Sequence, residues 1–176
     1  MISFGPLLRA TTLAGLLVCA SLTAQTALAA PADVALLQSY IGDWRGSSAL
    51  VGGGKSEPFT CRLSVAKGNQ EKVNYTGRCS LVSANLSISG TIAFNDSQQR
   101  YEAAMSSNAG FTGLAIGRLQ GQRISFDLQE RDKDNSGSDV RIGSRILLVN
   151  GDITVDFEVE FNDSGEVLRA SVPFAR

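Results

Sequence analysis

From Asp43 onward the apolar residues fall on every second position, a rhythm that commits the chain to sheet with one dry face. Ile153, Val155, Phe157, Val159 and Phe161 alternate with Thr154, Asp156, Glu158 and Glu160. One side of that strand can be buried while the other meets water. The same alternation runs through Phe59, Cys61, Leu63 and Val65; through Val73, Tyr75, Gly77, Cys79 and Leu81; through Leu86, Ile88, Gly90, Ile92 and Phe94; and through Ile124, Phe126 and Leu128. Further strands are expected at 44–51, 100–106, 112–119, 140–149 and 166–174, making about ten.

The connections are short and carry turn residues: Lys67-Gly68-Asn69-Gln70, Asn95-Asp96-Ser97, Gln120-Gly121-Gln122, Asn150-Gly151-Asp152 and Asn162-Asp163-Ser164-Gly165. Parallel pairing needs long crossovers, for which there is no room, so the strands must run antiparallel. One short helix is expected at Asp33–Tyr40, with Asp33 as its N-cap. A meander of this length has two edges to protect, and closing it on itself removes both. The expected fold class is therefore all-β, a single antiparallel up-and-down β-barrel of about 8–10 strands with a short N-terminal helix. A two-sheet β-sandwich is the alternative.

The first thirty residues differ from the rest. Arg9 is the only charge before Asp33, and the apolar run from Leu13 to Leu22 is shorter than the roughly 20 residues a membrane span needs. Ala27-Leu28-Ala29 has small residues where a signal peptidase reads, so 1–29 is expected to be a secretion signal and 30–176 one barrel domain. A membrane anchor and a lipid-modified Cys19 are the alternatives. Cleavage would leave 147 residues of the 176, the size of one domain with one core, and no later stretch long and apolar enough to span a membrane. Without Arg9, 15 basic residues face 17 acidic ones, which offers nucleic acid no basic field. The expected location is periplasmic or secreted.

Two cysteines remain after residue 30, and an even count in an oxidising compartment reads as a disulfide between Cys61 and Cys79, with two buried thiols as the alternative. In a hairpin turning near residue 70 the paired positions sum to about 140, as 61 and 79 do, and Val65 then faces Tyr75. Closing that loop is worth about 3 kcal/mol on the chain-entropy model.

Tyr40-Ile41-Gly42-Asp43-Trp44-Arg45-Gly46, after a short helix and at the start of the first strand, resembles the Gly-x-Trp signature of the lipocalin and calycin barrels. The resemblance implies that Trp44 plugs one barrel end and that a basic residue on the last strand packs across it, Arg169 first and Arg176 as the fallback. It extends over about Asp33 to Phe174 and looks most like small exported bacterial proteins of unknown function. Ten-stranded barrels of this kind include fatty-acid binders and heme-containing nitrobindin-like proteins. The latter hold iron through histidine.

This chain has no histidine. That removes Ser-His-Asp and Cys-His nucleophilic sites, histidine-bound zinc and histidine-ligated heme. Asp156, Glu158 and Glu160 invite a carboxylate-pair hydrolase, but their alternation with a full apolar face makes them an outer surface. Asp132-Lys133-Asp134-Asn135-Ser136-Gly137 matches half of a calcium loop, yet Gly143 stands where the closing Glu belongs. Gly52-Gly53-Gly54-Lys55 precedes no helix and reads as a loop at a barrel mouth, not as a phosphate cradle. Phe111 is read as core, with a lid over the mouth as the alternative. No catalytic residue, metal or cofactor is expected.

The function these readings favour is non-enzymatic binding of a small hydrophobic or amphipathic ligand in a barrel cavity. Its candidate lining is Phe59, Tyr75, Ile88, Phe94, Phe126, Phe157 and Phe161, all on inward faces. The alternative is an envelope protein-interaction module, such as a protease inhibitor, with a protein partner.

Overall fold

The structure, a computed structural model, describes residues 31–82, 84–108, 112–133 and 137–176. The expected signal at 1–29, the heart of the calcium-like loop at 134–136 and Phe111 lie outside the described residues. One helix, α1 (Pro31–Gln38), precedes ten strands: β1 (Gly42–Gly52), β2 (Lys55–Lys67), β3 (Val73–Ser80), β4 (Asn85–Asn95) and β5 (Arg100–Ser107), then β6 (Thr112–Gln120), β7 (Arg123–Lys133), β8 (Asp139–Val149), β9 (Asp152–Phe161) and β10 (Val167–Ala175). Each strand pairs antiparallel with the next, and β10 returns to β1, so the sheet closes into a barrel. Closure is what the alternation demanded, because it hides the apolar row of every strand without leaving an edge.

The turns follow local chemistry. Asn150 and Gly151 both take positive φ, as do Gly53 and Gly54, which lets two-residue hairpins match the right-handed twist of their strands. Gly52-Gly53-Gly54-Lys55 is thus the β1–β2 hairpin. The β2–β3 register puts Cys61 opposite Cys79 and Val65 opposite Tyr75, with the disulfide formed and the two Cα atoms 4.0 Å apart.

The helix closes one end of the barrel. It begins two residues earlier than expected, with Pro31 at its start, so Asp33 lies within the first turn and is not the N-cap. Its carboxylate instead accepts a hydrogen bond from Tyr101 Oη on β5, which ties the helix to the barrel wall. Leu37 and Tyr40 are buried beneath it, and Tyr40 Oη accepts the Gly151 N–H at 3.4 Å. Trp44 completes this closed end, donating its indole N–H to the Tyr40 carbonyl at 3.0 Å.

The cation across the indole is Arg176, whose guanidinium carbon lies 4.4 Å from the ring centroid and which also donates to the Ser39 carbonyl. Arg169 does not fill that place. It shares a face with Val167 and Ser171, turned away from the bore, and pairs there with Glu158 at 2.5 Å. Odd positions of β10 point outward, so only the residue beyond the strand's end can fold back over Trp44.

Two seams of the barrel are thinly stitched. β1 and β10 pair at Arg45–Ala175, Gly46–Phe174 and Val51–Arg169, and the ladder lapses between. Pro173 in that gap has no N–H to donate, and the Ser48 hydroxyl takes the Ser171 carbonyl at 2.6 Å. β6 and β7 pair only from Gly117–Phe126 to Gln120–Arg123, so the half of β6 away from the helix parts from its neighbour.

Candidate functional site

Register decides what faces the bore. Because the side-chain period is two, the inward sets are 44, 46, 48 and 50 on β1, 59, 61, 63 and 65 on β2, and their matched partners round the barrel. These sets are large at the helix end, where Trp44, Val65, Val73, Tyr101, Ile124 and Phe126 fill the space. They shrink in the middle, where Gly77, Ser144 and Ala170 face inward on β3, β8 and β10.

An interior cavity of about 110 Å³ lies at that level. Phe59, Cys61, Leu63, Cys79, Ile88, Met105, Ile146 and Phe157 wall it, and Leu50, Leu81 and Leu86 border it toward the end remote from the helix. Ser144 is the hydroxyl on the wall; Arg62 and Arg78 border it from strand positions that leave them exposed to solvent. Below it, a second space of about 40 Å³ ends on Leu37 and Tyr40 of the helix end.

The structure splits the candidate lining residues. Phe59, Ile88 and Phe157 line the larger cavity, and Tyr75 and Ile88 the smaller. Phe94, Phe126 and Phe161 line neither. Phe94 packs edge-on against Tyr101 with ring centroids 4.9 Å apart, Phe126 is fully buried in the core, and Phe161 is half-buried at the far end of β9. Met105, Ser144 and both disulfide sulfurs belong to the wall and were not among the candidates. The alternation Tyr101, Ala103, Met105 on β5 carried the signal for Met105.

Among the described residues, no fully buried side-chain nitrogen or oxygen lacks a hydrogen-bond partner. Tyr75 lies across Gly90 and donates to the Ala104 carbonyl at 3.1 Å; burial pushes its phenol up to about 12. Burial, then the neighbouring Asp33 carboxylate, raises the Tyr101 phenol as well. The acidic row of β9 is outside and paired: Glu160 with Arg141 at 2.7 Å, Glu158 with Arg169, and Asp156 with the Ser171 hydroxyl at 2.6 Å. Asp156 and Glu158 edge a groove of about 750 Å³ on the outer face of β1 and β7–β10, and each has its own partner there.

The family model of the THAP4-like, heme-binding beta-barrel domain matches residues 33–172. No curated protein matches the chain. Among solved structures, that of Rv2717c from M. tuberculosis superposes with a TM-score of 0.57 at 14% identity, covering 80% of this chain and 98% of that one. At that identity the likeness is one of fold.

Proposed function

Since the chain belongs to the THAP4-like, heme-binding beta-barrel family, we propose that its barrel also holds a small ligand, and that this ligand is apolar or amphipathic and is not heme. The observation that carries the reading is the cavity of about 110 Å³ in the middle of the bore, walled by apolar side chains. Such a space stays dry and favours hydrocarbon, because water entering it finds too few polar partners.

Heme does not suit these residues. The chain has no histidine to hold iron. The sulfurs of Cys61 and Cys79 are bonded to each other, which leaves the thioether of Met105 as the soft donor on the cavity wall. The cavity is also smaller than the roughly 300 Å³ at which sites for drug-sized ligands begin. Titration with hemin is expected to produce no protein-bound Soret band, and a stoichiometric one would overturn the exclusion.

The role is carriage or sensing without catalysis, since the hydroxyl of Ser144 has no carboxylate or imidazole beside it among the described residues of the wall to activate it. Export to the periplasm or beyond is part of the proposal. The small residues at Ala27 and Ala29 and the Cys61–Cys79 bridge support it. Native mass spectrometry of protein purified from its own host, together with displacement of a fluorescent lipid, tests the binding. Bound small molecules and displacement are expected; an empty barrel in both assays refutes it.

A further inference from the structure

The interior is not one tunnel. Leu63, Ile88, Ile146 and Val155 border both the space of about 110 Å³ and that of about 40 Å³, and among the described residues no other lines both. They come from β2, β4, β8 and β9, so they converge from opposite walls and form a waist across the bore. Beneath the waist the smaller space is shut off by Leu37 and Tyr40. Above it, the larger space reaches toward Leu50, Leu81 and Leu86.

Size then restricts what can enter. A dry cavity of about 150 Å³ takes one benzene-sized molecule of six carbons. On that scale the larger space holds about four or five carbons, and the smaller one about one or two more. We propose that this site, taken as the ligand site of the preceding section, selects a slender hydrocarbon group of about four or five carbons, with the waist of Leu63, Ile88, Ile146 and Val155 setting its length. The rest of the ligand, including any polar part, stays toward the leucines at the end remote from the helix. A fused ring system is too broad, and a longer straight chain gains nothing from its extra carbons.

A series of 1-alkanols from propanol to decanol tests this, with binding followed by NMR of the isoleucine, leucine and valine methyl groups. Each buried methylene should tighten binding about fourfold. The gain should stop at about five carbons. In Ile88→Ala, which removes three carbons from the waist and joins the two spaces, the stop should move out by about two to four carbons. Val155→Ala, on the opposite wall, should move it the same way by less, and serves if the first variant fails to fold. Affinity that climbs steadily to decanol overturns the length limit. A stop at the same carbon number in folded variants overturns the waist while leaving the bore a ligand site. No shift of the cavity methyls with any alkanol overturns the ligand reading itself.

Discussion

Replacing Gly90 with alanine should cost this barrel several kcal/mol, although it adds a single methyl group. A β-carbon at position 90 would lie 2.1 Å from the Ala104 carbonyl oxygen and 2.4 Å from Tyr75 Oη. The first neighbour is backbone and cannot turn aside; the second is a phenol that donates to that same carbonyl at 3.1 Å and is 4% exposed. Overpacking of this kind costs about 1–3 kcal/mol. Pushing the phenol off its acceptor leaves a buried hydroxyl without a partner, which costs a further ~1–3 kcal/mol. The sum is about 2–6 kcal/mol, a large share of the stability of an ordinary domain. Trp44 is the sole tryptophan and is buried, so its fluorescence can report urea unfolding without a label. Tyr75→Phe alone should cost about 1 kcal/mol, since it removes the donor cleanly. In that background there is no hydroxyl left to strand, so Gly90→Ala should be cheaper by about 1–3 kcal/mol. The reasoning is refuted by a single-variant cost under about 1 kcal/mol, or by two costs that add within ~0.5 kcal/mol.

Two other perturbations separate the structure from its nearest alternatives. Arg176→Ala removes both the cation over Trp44 and a hydrogen bond to Ser39, and should cost about 1–2 kcal/mol, whereas Arg169→Ala breaks an exposed ion pair worth under about 1 kcal/mol. Thermal melts that rank the two variants the other way round would count against the Arg176 cap. At high pH the buried tyrosines should weaken the fold: Tyr75 is raised by burial to about 12, against about 10 in an unfolded chain. A raised phenol contributes stability in full below pH 10 and loses it as pH climbs through 10 toward 12, by about 3 kcal/mol for Tyr75 alone, with Tyr40 and Tyr101 shifted in the same direction. Urea midpoints that stay level from pH 9 to 12 would contradict it.

The strands and their faces were legible because period two is a local property, written in each segment without reference to the rest. The same arithmetic that pairs Cys61 with Cys79 also places Val65 against Tyr75, so one hairpin fixed its own register. The height of a residue along the barrel axis is not local, and there the candidate site was read only in part. Phe94 and Phe126 share the inward face with Phe59, yet Phe94 stands opposite Tyr101, and Phe126 stands opposite Ile146 and covers Gly117, so they fill space instead of lining it. The cavity opens where Gly77, Ser144 and Ala170 from separate strands meet at one level. A search for coincident small inward residues would have found it sooner than a search for aromatics. Asp33 illustrates the same limit at the helix, because its partner, Tyr101, is remote in sequence.

Barrel and sandwich, posed as rivals by the alternation, prove to be closer than the choice suggests. The closed ring divides at its two thin seams into a well-paired set of six strands, β1–β6, and another of four, β7–β10. Each seam has a local cause or accompaniment: Pro173 denies β1 a donor, and Gly113 brings β6 against the Leu128 side chain at the level where its ladder with β7 has lapsed. Every missing rung is a hydrogen bond that need not be broken to part the two sets, and the β6–β7 gap lies away from the end sealed by Trp44 and the helix. A ligand that enters by the leucines at the end remote from the helix must widen the bore there. The cheapest place for the wall to yield is along those seams, because backbone pairing elsewhere in the ring is continuous over six rungs on β5–β6 and over eight or more on every other pair of neighbouring strands.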